Sequence, residues 1–245
     1  MVNTVEMYLH HRILHIYDKI DLYLSPSQFM KDLVREMGFM GEVRYLPNFI
    51  HADRYLPSYG WEEGSIVYFG RLSYEKGLET LIDAVKELSV EVKIIGEGPL
   101  SDLLISKVKN EGIQNVHFLG YKIGEDLNQE IRKSMFAILP SECYENYPRS
   151  AMEAFALGKP VIGTRIGGIP ELVTDGETGL SFEPGNVVDL REKILSLLEN
   201  KNKIIEMGKR ARAFVEERLN PEKHYHDLMD IYTEAMSHRA AKEKR

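Results

Sequence analysis

Two cations follow an apolar run in the first third of the chain. The run Ile66–Phe69 leads into Gly70 and Arg71, and Lys76 follows just before Gly77 and a helix-like stretch. At the carboxyl end of a strand in an open α/β sheet, an arginine that forks onto phosphate oxygens and a lysine that adds a point charge would hold a phosphate. The alternative is that both residues are ordinary surface cations of a loop.

Two glutamates with seven residues between them, Glu145 and Glu153, follow a second apolar run. Pro148 suits the start of a helix but cannot continue one, so Glu145 is predicted in a loop and Glu153 about one turn inside the next helix. Two carboxylates placed in this way can accept hydrogen bonds from sugar hydroxyls. The alternative is a helix glutamate stabilised only by the helix dipole, together with an exposed loop acid.

Both motifs depend on the strands that precede them. From Ser65 onward, short apolar runs alternate with helix-like stretches, which is typical of a parallel sheet with helices on both faces. Apolar residues at helical spacing within residues 78–88 and 187–198 predict helix faces packed on that sheet. The pattern therefore indicates an α/β protein with six strands, Ser65–Gly70, Val92–Gly96, Val116–Gly120, Phe136–Pro140, Pro160–Gly163 and Gly179–Phe182.

The first 60 residues contain too few predicted elements for a separate open sheet. We expect a helix over Val5–Lys19, a strand at Leu22–Ser25, a helix over Ser27–Met37 and a strand at Val43–Leu46. A polar, turn-prone stretch around residues 57–62 marks a boundary. The predicted domains are residues 1–60, 61–218 and 219–245, and the last of these is mostly one helix.

Composition excludes several classes of protein. The 245 residues are 43% hydrophobic, enough for a sizeable core, and the net charge of −7 lacks the basic footprint of a dedicated nucleic-acid binder. The single cysteine, Cys143, excludes an internally disulfide-stapled fold. No set of potential ligands has a spacing typical of a metal site, and this holds for His10, His11 and His15 as well. No apolar run reaches membrane-spanning length, so we expect a cytoplasmic protein, with peripheral membrane association left open.

Further motifs complete an ordered set around these residues. The set comprises Gly96–Leu100, for which a tight turn is favoured over a phosphate loop, together with Phe118–Tyr121, Ala154–Val161 and Gly167–Val173. In this order, and with the two glutamates, the chain resembles the retaining glycosyltransferases of family 4, which are glycogen-synthase-like transferases of group 1 with the GT-B fold. The resemblance covers about residues 66–198, mainly the family's C-terminal, donor-binding half.

The resemblance implies roles for the two motifs. In this family two Rossmann-like halves face each other across a cleft, and the C-terminal half binds a nucleotide sugar. Arg71 and Lys76, beside Gly70, would hold the donor diphosphate. Glu153 would bind the ribose hydroxyls, and Glu145 would contact the transferred sugar near its reacting carbon. The implied catalytic residues are therefore Glu145, Arg71 and Lys76.

Two loops would supply further donor contacts through their backbones. The base would lie against Tyr121 and Lys122, and the sugar or phosphate oxygens would lie near Asn146, Tyr147, Pro148 and Arg149. Many family members carry glycines where this chain has Asn146 and Pro148, and Pro148 removes one amide donor.

The implied reaction moves a sugar from a UDP-, GDP- or ADP-linked donor to a glycan, lipid or small-molecule acceptor, with retention and without a metal or other cofactor. Two alternatives stay open at this point. One is a catalytically silent nucleotide-sugar module that pairs with a separate chain. The other is a nucleotide-sugar epimerase of similar fold, which is disfavoured because the cation and glutamate motifs suit transfer to an acceptor better.

The N-terminus departs from the family, because only about 60 residues precede the donor half. We expect most of the acceptor half to be absent, whether the chain is a truncated product, a fragment of a longer protein or a subunit completed by a partner. The last helix is expected to expose an apolar stripe that includes Leu228, Ile231 and Met236, which would invite a dimer or a partner chain.

Overall fold

The computed structural model describes residues 5–6, 8–14, 16 and 19–243. The predicted helix over Val5–Lys19 falls partly outside these ranges, as does His15, and Leu9–Ile13 form a π-helical segment. The chain divides into two compact units, residues 1–48 with 221–245 and residues 49–220. Among the described helices, none has both the length and the apolar composition needed to cross a membrane.

The larger unit is built on a six-stranded, entirely parallel sheet. The strands are β3 (Ser65–Phe69), β4 (Glu91–Ile95), β5 (Val116–Phe118), β6 (Ala137–Leu139), β7 (Val161–Thr164) and β8 (Gly179–Phe182). They lie in the order β5-β4-β3-β6-β7-β8. Each strand lies within two residues of its predicted position, which confirms the α/β fold class.

Helices cover both faces of this sheet, which explains why its strands are apolar throughout. In β3, Ile66 and Tyr68 belong to one core and Val67 and Phe69 to the other, and all four are buried. The helices of this unit are α2 (Leu78–Val85), α3 (Ser101–Asn110), α4 (Gly124–Lys133), α5 (Arg149–Ala156), α6 (Val187–Leu198) and α7 (Lys201–Arg218).

The strand order reverses between β3 and β6. From β3 the chain proceeds outward to β4 and β5, and it then returns to place β6 on the other side of β3 before continuing to β7 and β8. Open α/β sheets bind ligands outside the carboxyl ends of the strands at such a reversal. Here the loop that follows β3 carries Arg71 and Lys76, and the loop and helix α5 that follow β6 carry Glu145 and Glu153, respectively.

Besides the π-helical segment, the described residues of the smaller unit form a parallel pair of short strands and two α-helices. These are β1 (Tyr23–Ser25), β2 (Val43–Tyr45), α1 (Gln28–Glu36) and α8 (Pro221–Glu243). Ser27 caps α1 by accepting a hydrogen bond from the Met30 amide at 3.1 Å. Within the unit, Arg44 pairs with Glu234.

The apolar stripe on α8 differs from the prediction. Met236 is exposed as expected, but Leu228 and Ile231 are half-buried. The exposed apolar residues of this helix follow a helical spacing on another face, and they are Tyr225, Met229, Tyr232 and Met236.

Residues 49–63, which we call the strap, run along the larger unit before β3. The Ile50 amide donates to the carbonyl of Leu219 at 2.9 Å, and the Ser58 amide donates to that of Leu157 at 3.0 Å. The fully buried Lys159 donates from Nζ to the carbonyl of Gly60 at 2.8 Å. The strap up to residue 60 thus packs with the residues that follow it, whereas the sequence prediction grouped residues 1–60 together.

Candidate functional site

The two loops at the strand reversal approach each other closely through Gly77. Its φ is +63°, and a Cβ at this position would lie 1.9 Å from the carbonyl oxygen of Pro140 at the end of β6. Only glycine tolerates both the conformation and the approach. Nearby, the Glu142 amide donates to the carbonyl of Glu75 at 2.8 Å, so the two loops are also joined by a backbone hydrogen bond.

This approach brings Lys76 against Glu145, and we call this ion pair the inner pair. Oε1 of Glu145 accepts from Lys76 Nζ and also from the hydroxyl of Ser141 at 2.8 Å. Ser141 is fully buried, and its carbonyl accepts from the Thr164 hydroxyl at 2.8 Å. The side chains of Lys76 and Glu145 are 24% and 15% exposed, so both reach solvent from a largely enclosed position.

Tyr68 lies beneath this arrangement and connects it to Arg71. Its ring is buried in β3, and its hydroxyl donates to the carbonyl of Arg71 at 2.8 Å. Burial raises the pKa of Tyr68 strongly, and the negative charges of Glu145 and Glu75 raise it further. The phenol therefore stays protonated, which keeps it a hydrogen-bond donor to the loop that carries Arg71.

Arg149 and Glu153 form a second ion pair on α5, the outer pair, with Nε 2.9 Å from Oε1. The Arg149 side chain is 80% exposed, whereas that of Glu153 is 19% exposed. Hydrogen bonding to Glu153 raises the pKa of Arg149. Tyr55 of the strap lies within hydrogen-bonding reach of this pair. Burial, followed by the charge of Glu153, raises the pKa of its phenol.

A cavity of about 350 Å³ opens beside Glu153 at the carboxyl ends of β3 and β4. Phe69 and Ile95, the last residues of these strands, form part of its wall. The other lining residues come from three loops and two helices, and they are Gly70, Arg71, Gly96, Glu97, Tyr121, Lys122, Ile123, Leu127, Ser150 and Glu153.

The turn after β4 shapes one wall of this cavity. A Cβ on Gly96 would lie 1.9 Å from the carbonyl oxygen of Gly70, and the Leu72 amide donates to the carbonyl of Glu97 at 3.0 Å. The turn is thus packed tightly against the loop after β3. The glycines of this turn allow the two backbones to approach closely, as is typical of a tight turn.

The residues predicted for the site fall into three groups. Five of them line the cavity, namely Gly70, Arg71, Tyr121, Lys122 and Glu153. Lys76 and Glu145 lie in the inner pair. The remaining residues belong to the segment that enters α5, where Asn146 is half-buried, Tyr147 and Pro148 are buried and Arg149 is exposed.

Several residues of the site were missed by the sequence analysis. Ser141 directly follows an apolar strand, and that position was a usable signal for a side chain facing the site. For Tyr68 the signal was that it is the one residue of β3 whose apolar ring carries a polar group at its tip. Tyr55 had no such signal, because it meets Glu153 only through the tertiary path of the strap.

Acidic side chains of this region do not form a metal cluster. Within residues 5–6, 8–14, 16 and 19–243, no group of three His, Cys, Asp or Glu side chains is arranged to hold a metal ion. The Cys143 thiol lies in the loop of Glu145, and burial followed by the charge of Glu145 raises its pKa, which favours the protonated form.

Comparison with known proteins identifies glycosyltransferases as relatives. A family model described as glycosyl transferases group 1 matches residues 59–214. An uncharacterised glycosyltransferase of Methanocaldococcus jannaschii is 35% identical over 148 residues, which are 60% of this chain and 42% of the relative. The D-rhamnosyltransferase WbpZ of Pseudomonas aeruginosa is 31% identical over 214 residues, which are 82% of this chain and 55% of the relative.

A solved structure has the same fold. The Anabaena protein HepE in complex with UDP-glucose superposes with a TM-score of 0.78 at 22% identity, and the match covers 87% of this chain and 64% of HepE. The chain spans about half the length of the curated relatives that it matches.

Proposed function

The chain belongs to the glycosyl transferases group 1 family, and from this premise we propose that it carries the nucleotide-sugar-binding half of a retaining, family 4 glycosyltransferase. The supporting observation is the meeting of two motifs at the strand reversal. Arg71 and Glu153 line one cavity, and Lys76 and Glu145 lie side by side in the adjacent loops. Because the named relatives are transferases, transfer is favoured over a silent binding module.

The two cations suit the departure of a diphosphate. Breaking the anomeric C–O bond leaves negative charge on the leaving group, and fixed cations in a partly enclosed site stabilise that charge. We assign this role to Arg71 and Lys76, without a metal. A lysine ammonium has three donors, so Lys76 can keep Glu145 while it binds a phosphate oxygen.

The two carboxylates suit the two sugars of the donor. Glu153 lies in the wall of the cavity, where it would accept hydrogen bonds from the ribose hydroxyls. Glu145 would lie near the transferred sugar, where an ionised carboxylate stabilises the positive charge that develops on the ring. Retention is compatible with this placement, by front-face attack or by another retaining route.

The proposed donor is a UDP-, GDP- or ADP-linked sugar, and the structural relative HepE binds UDP-glucose. The proposed acceptor is a glycan, a lipid or a small molecule. Transfer also requires an acceptor held in attacking geometry, with water excluded. We propose that the facing half of such an enzyme supplies both, and that the residues described above bind the donor.

Calorimetric titration of the chain with uridine, UDP and UDP-glucose, and with the guanosine and adenosine series, tests this function. Glu153→Gln should weaken the nucleoside and both nucleotides alike, because all three carry the ribose. Glu145→Gln should weaken only the sugar nucleotide. Arg71→Ala should weaken the nucleotides by about 1–3 kcal/mol and leave the nucleoside nearly unchanged.

Glu199→Gln is the matched control, because Glu199 is an exposed glutamate at the far end of α6. It should leave all affinities unchanged. If none of the nucleosides or nucleotides bound to the chain, the proposed function would be wrong. If Glu145→Gln weakened plain UDP as much as UDP-glucose, the division of roles between the glutamates would be wrong. Where transfer is detected, the anomeric configuration of the product tests retention.

A further inference from the structure

The cavity has two ends of different chemistry, set by the strand order. The end near β3 and α5 is polar, and its side chains include Arg71, Ser150 and Glu153, whereas Glu97 follows β4 between the two ends. The end near β5 and α4 is mostly apolar and is lined by Tyr121, Lys122, Ile123 and Leu127, beside Ile95 of β4. A flat aromatic base fits the second end better than a ribose or a phosphate does, because its faces are apolar and its edge is polar.

Lys122 is the single charged side chain among the residues that line this apolar end. Its Nζ donates to Oε1 of Glu130 at 3.2 Å, and Oε2 of Glu130 lies 3.2 Å from Nζ of Lys93. Glu130 and Lys93 are only 17% and 14% exposed. Lys93 is in turn held by Glu62 of the strap at 2.8 Å. The ammonium of Lys122 is therefore held in place by a chain of ion pairs that continues through Glu130 of α4 and Lys93 of β4 to the strap.

The carboxylate that holds Lys122 stays ionised. Burial opposes the ionisation of Glu130, but hydrogen bonds from Lys122 and Lys93 outweigh it and hold the pKa of that carboxyl below its usual value. One of the three donors of the Lys122 ammonium is used by Glu130, which leaves donors for a ligand in the cavity.

The four common bases differ in what they offer to a fixed cationic donor. Uracil and guanine carry a carbonyl oxygen at the edge, O4 or O6, which accepts a hydrogen bond. Cytosine and adenine carry an amino group at the same place, and an amino group donates. A fixed ammonium attracts the former and meets a second donor in the latter.

We propose that Lys122, positioned by Glu130, selects donors whose base carries a carbonyl oxygen at this edge, uracil or guanine, over those with an amino group there. The inference rests on the proposed function, because it concerns the same cavity. It assigns a side-chain role to a residue for which the family resemblance implies only a backbone contact.

Affinities of UDP, GDP, ADP and CDP for the wild-type chain and for Lys122→Met test this selection by calorimetry. The wild type should bind UDP or GDP about tenfold more tightly than ADP and CDP, as one charge-assisted hydrogen bond allows. Lys122→Met should weaken UDP and GDP by about that factor and leave ADP and CDP within about twofold. The relative affinities of UDP and GDP identify which carbonyl base fits.

Glu130→Gln separates positioning from charge, because it leaves Lys122 in the chain but weakens the contact that holds it. It should reduce the preference for carbonyl bases by about threefold, an intermediate effect. Lys133→Met is the matched control, since Lys133 lies on the same helix but pairs with Glu62 outside the cavity. It should keep the wild-type preference.

Three results would overturn this selection. Equal weakening of all four nucleotides by Lys122→Met would make the residue a general phosphate cation. A base preference that survives Lys122→Met would place the selectivity elsewhere. Binding of all four nucleotides with equal affinity would remove the selectivity and leave the proposed function intact, whereas no binding at all would overturn both. Thermal unfolding of each variant shows whether a loss reflects misfolding.

Discussion

The inner and outer pairs each join a glutamate of one motif to a cation, but they differ in how they are built. Arg149 and Glu153 stand one turn apart on α5, and the arginine is almost fully exposed. Lys76 and Glu145 are 69 residues apart in sequence and meet only because two loops dock at the strand reversal. The outer pair is a property of one helix, whereas the inner pair is a property of the fold.

The outer pair is therefore stabilised by local helix structure and the inner pair by tertiary contacts, although both belong to the same site. A pair on one helix forms wherever that helix forms, and exposure to water keeps its energy small. The inner pair also includes the buried hydroxyl of Ser141 and the close approach of Gly77. Its energy therefore depends on residues that carry no charge.

The largest effect is expected where a backbone contact supports the inner pair. Gly77→Ala should destabilise the chain by about 3 kcal/mol or more, because the new Cβ would meet the Pro140 carbonyl and the positive φ is strained. It should also weaken binding of a sugar nucleotide more than binding of a nucleoside, because the outer pair stays intact. Chemical denaturation and calorimetry measure the two effects.

Gly112→Ala provides a matched control for this variant. Gly112 has nearly the same φ, +65°, but a Cβ added there would have no neighbouring atom within 4 Å. It should lose only about 1 kcal/mol, the conformational part of the effect. Equal losses for the two variants would mean that the contact with Pro140 adds nothing to the docking of the loops.

Lys159 is a buried cation held by a carbonyl group rather than by a carboxylate, and it extends the comparison of the two ion pairs. Lys159 is buried against the carbonyl of Gly60, with Nζ 5.9 Å from the ring of Trp61. Burial, followed by repulsion from Arg132, lowers the pKa of Lys159 from 10.5 to about 8. Between pH 8 and 10.5 Lys159 therefore binds more protons in the unfolded chain than in the folded one, so its contribution to stability rises with pH in this window by about 3 kcal/mol. Below pH 8 both states hold the proton, and the contribution is constant.

Lys159→Met should abolish that rise in stability. Denaturation of the wild type and of this variant at pH 7 and pH 10 measures the change. Lys209→Met is a suitable control, because Lys209 lies at the same 5.9 Å from the ring of Tyr59 but is exposed. It should keep the wild-type slope. Parallel stability curves for the wild type and Lys159→Met would show that Lys159 keeps an ordinary pKa in the folded protein.

Smaller effects are expected from the pairs themselves. A double-mutant cycle with Lys76→Met and Glu145→Gln should give a coupling energy of about 1–2 kcal/mol, since the pair is largely enclosed. The same cycle with Arg149→Met and Glu153→Gln should give about 0.5 kcal/mol or less, and salt should reduce it further. Unfolding free energies of the single and double variants provide both numbers. Coupling energies in the reverse order would contradict the distinction between the two pairs.

The sequence was sufficient where the physical signal is local. Uninterrupted apolar runs located the six strands, and Pro148 placed Glu145 in a loop and Glu153 in a helix, as the structure has them. The motifs do not predict the inner pair, because they assign Lys76 to the diphosphate and Glu145 to the transferred sugar rather than to each other. Their contact depends on the strand order, which no periodicity encodes.

Two other differences have similar causes. Leu228 and Ile231 were expected on the exposed face of α8, but a helix that is apolar on more than one face does not reveal which face is covered. The sequence prediction groups residues 49–60 of the strap with the N-terminal residues, because the turn-prone composition around residues 57–62 suggests a boundary. Its hydrogen bonds to Leu157 and Leu219 are contacts distant in sequence.

The strand reversal also has a consequence for how this molecule folds. β3 and β4 are separated by a single helix and pair along five residues, whereas β3 meets β6 through Val67 and Ala137, with two strands and three helices between them in the chain. Pairings that are distant in sequence close larger loops and form more slowly. The β3–β5 segment can therefore assemble before β6 pairs with β3, and the inner pair forms only when that pairing brings the two loops together. The Lys76–Glu145 contact thus reports the docking of β6 on β3, and a chain still emerging from the ribosome lacks it until the segment around Glu145 has been released.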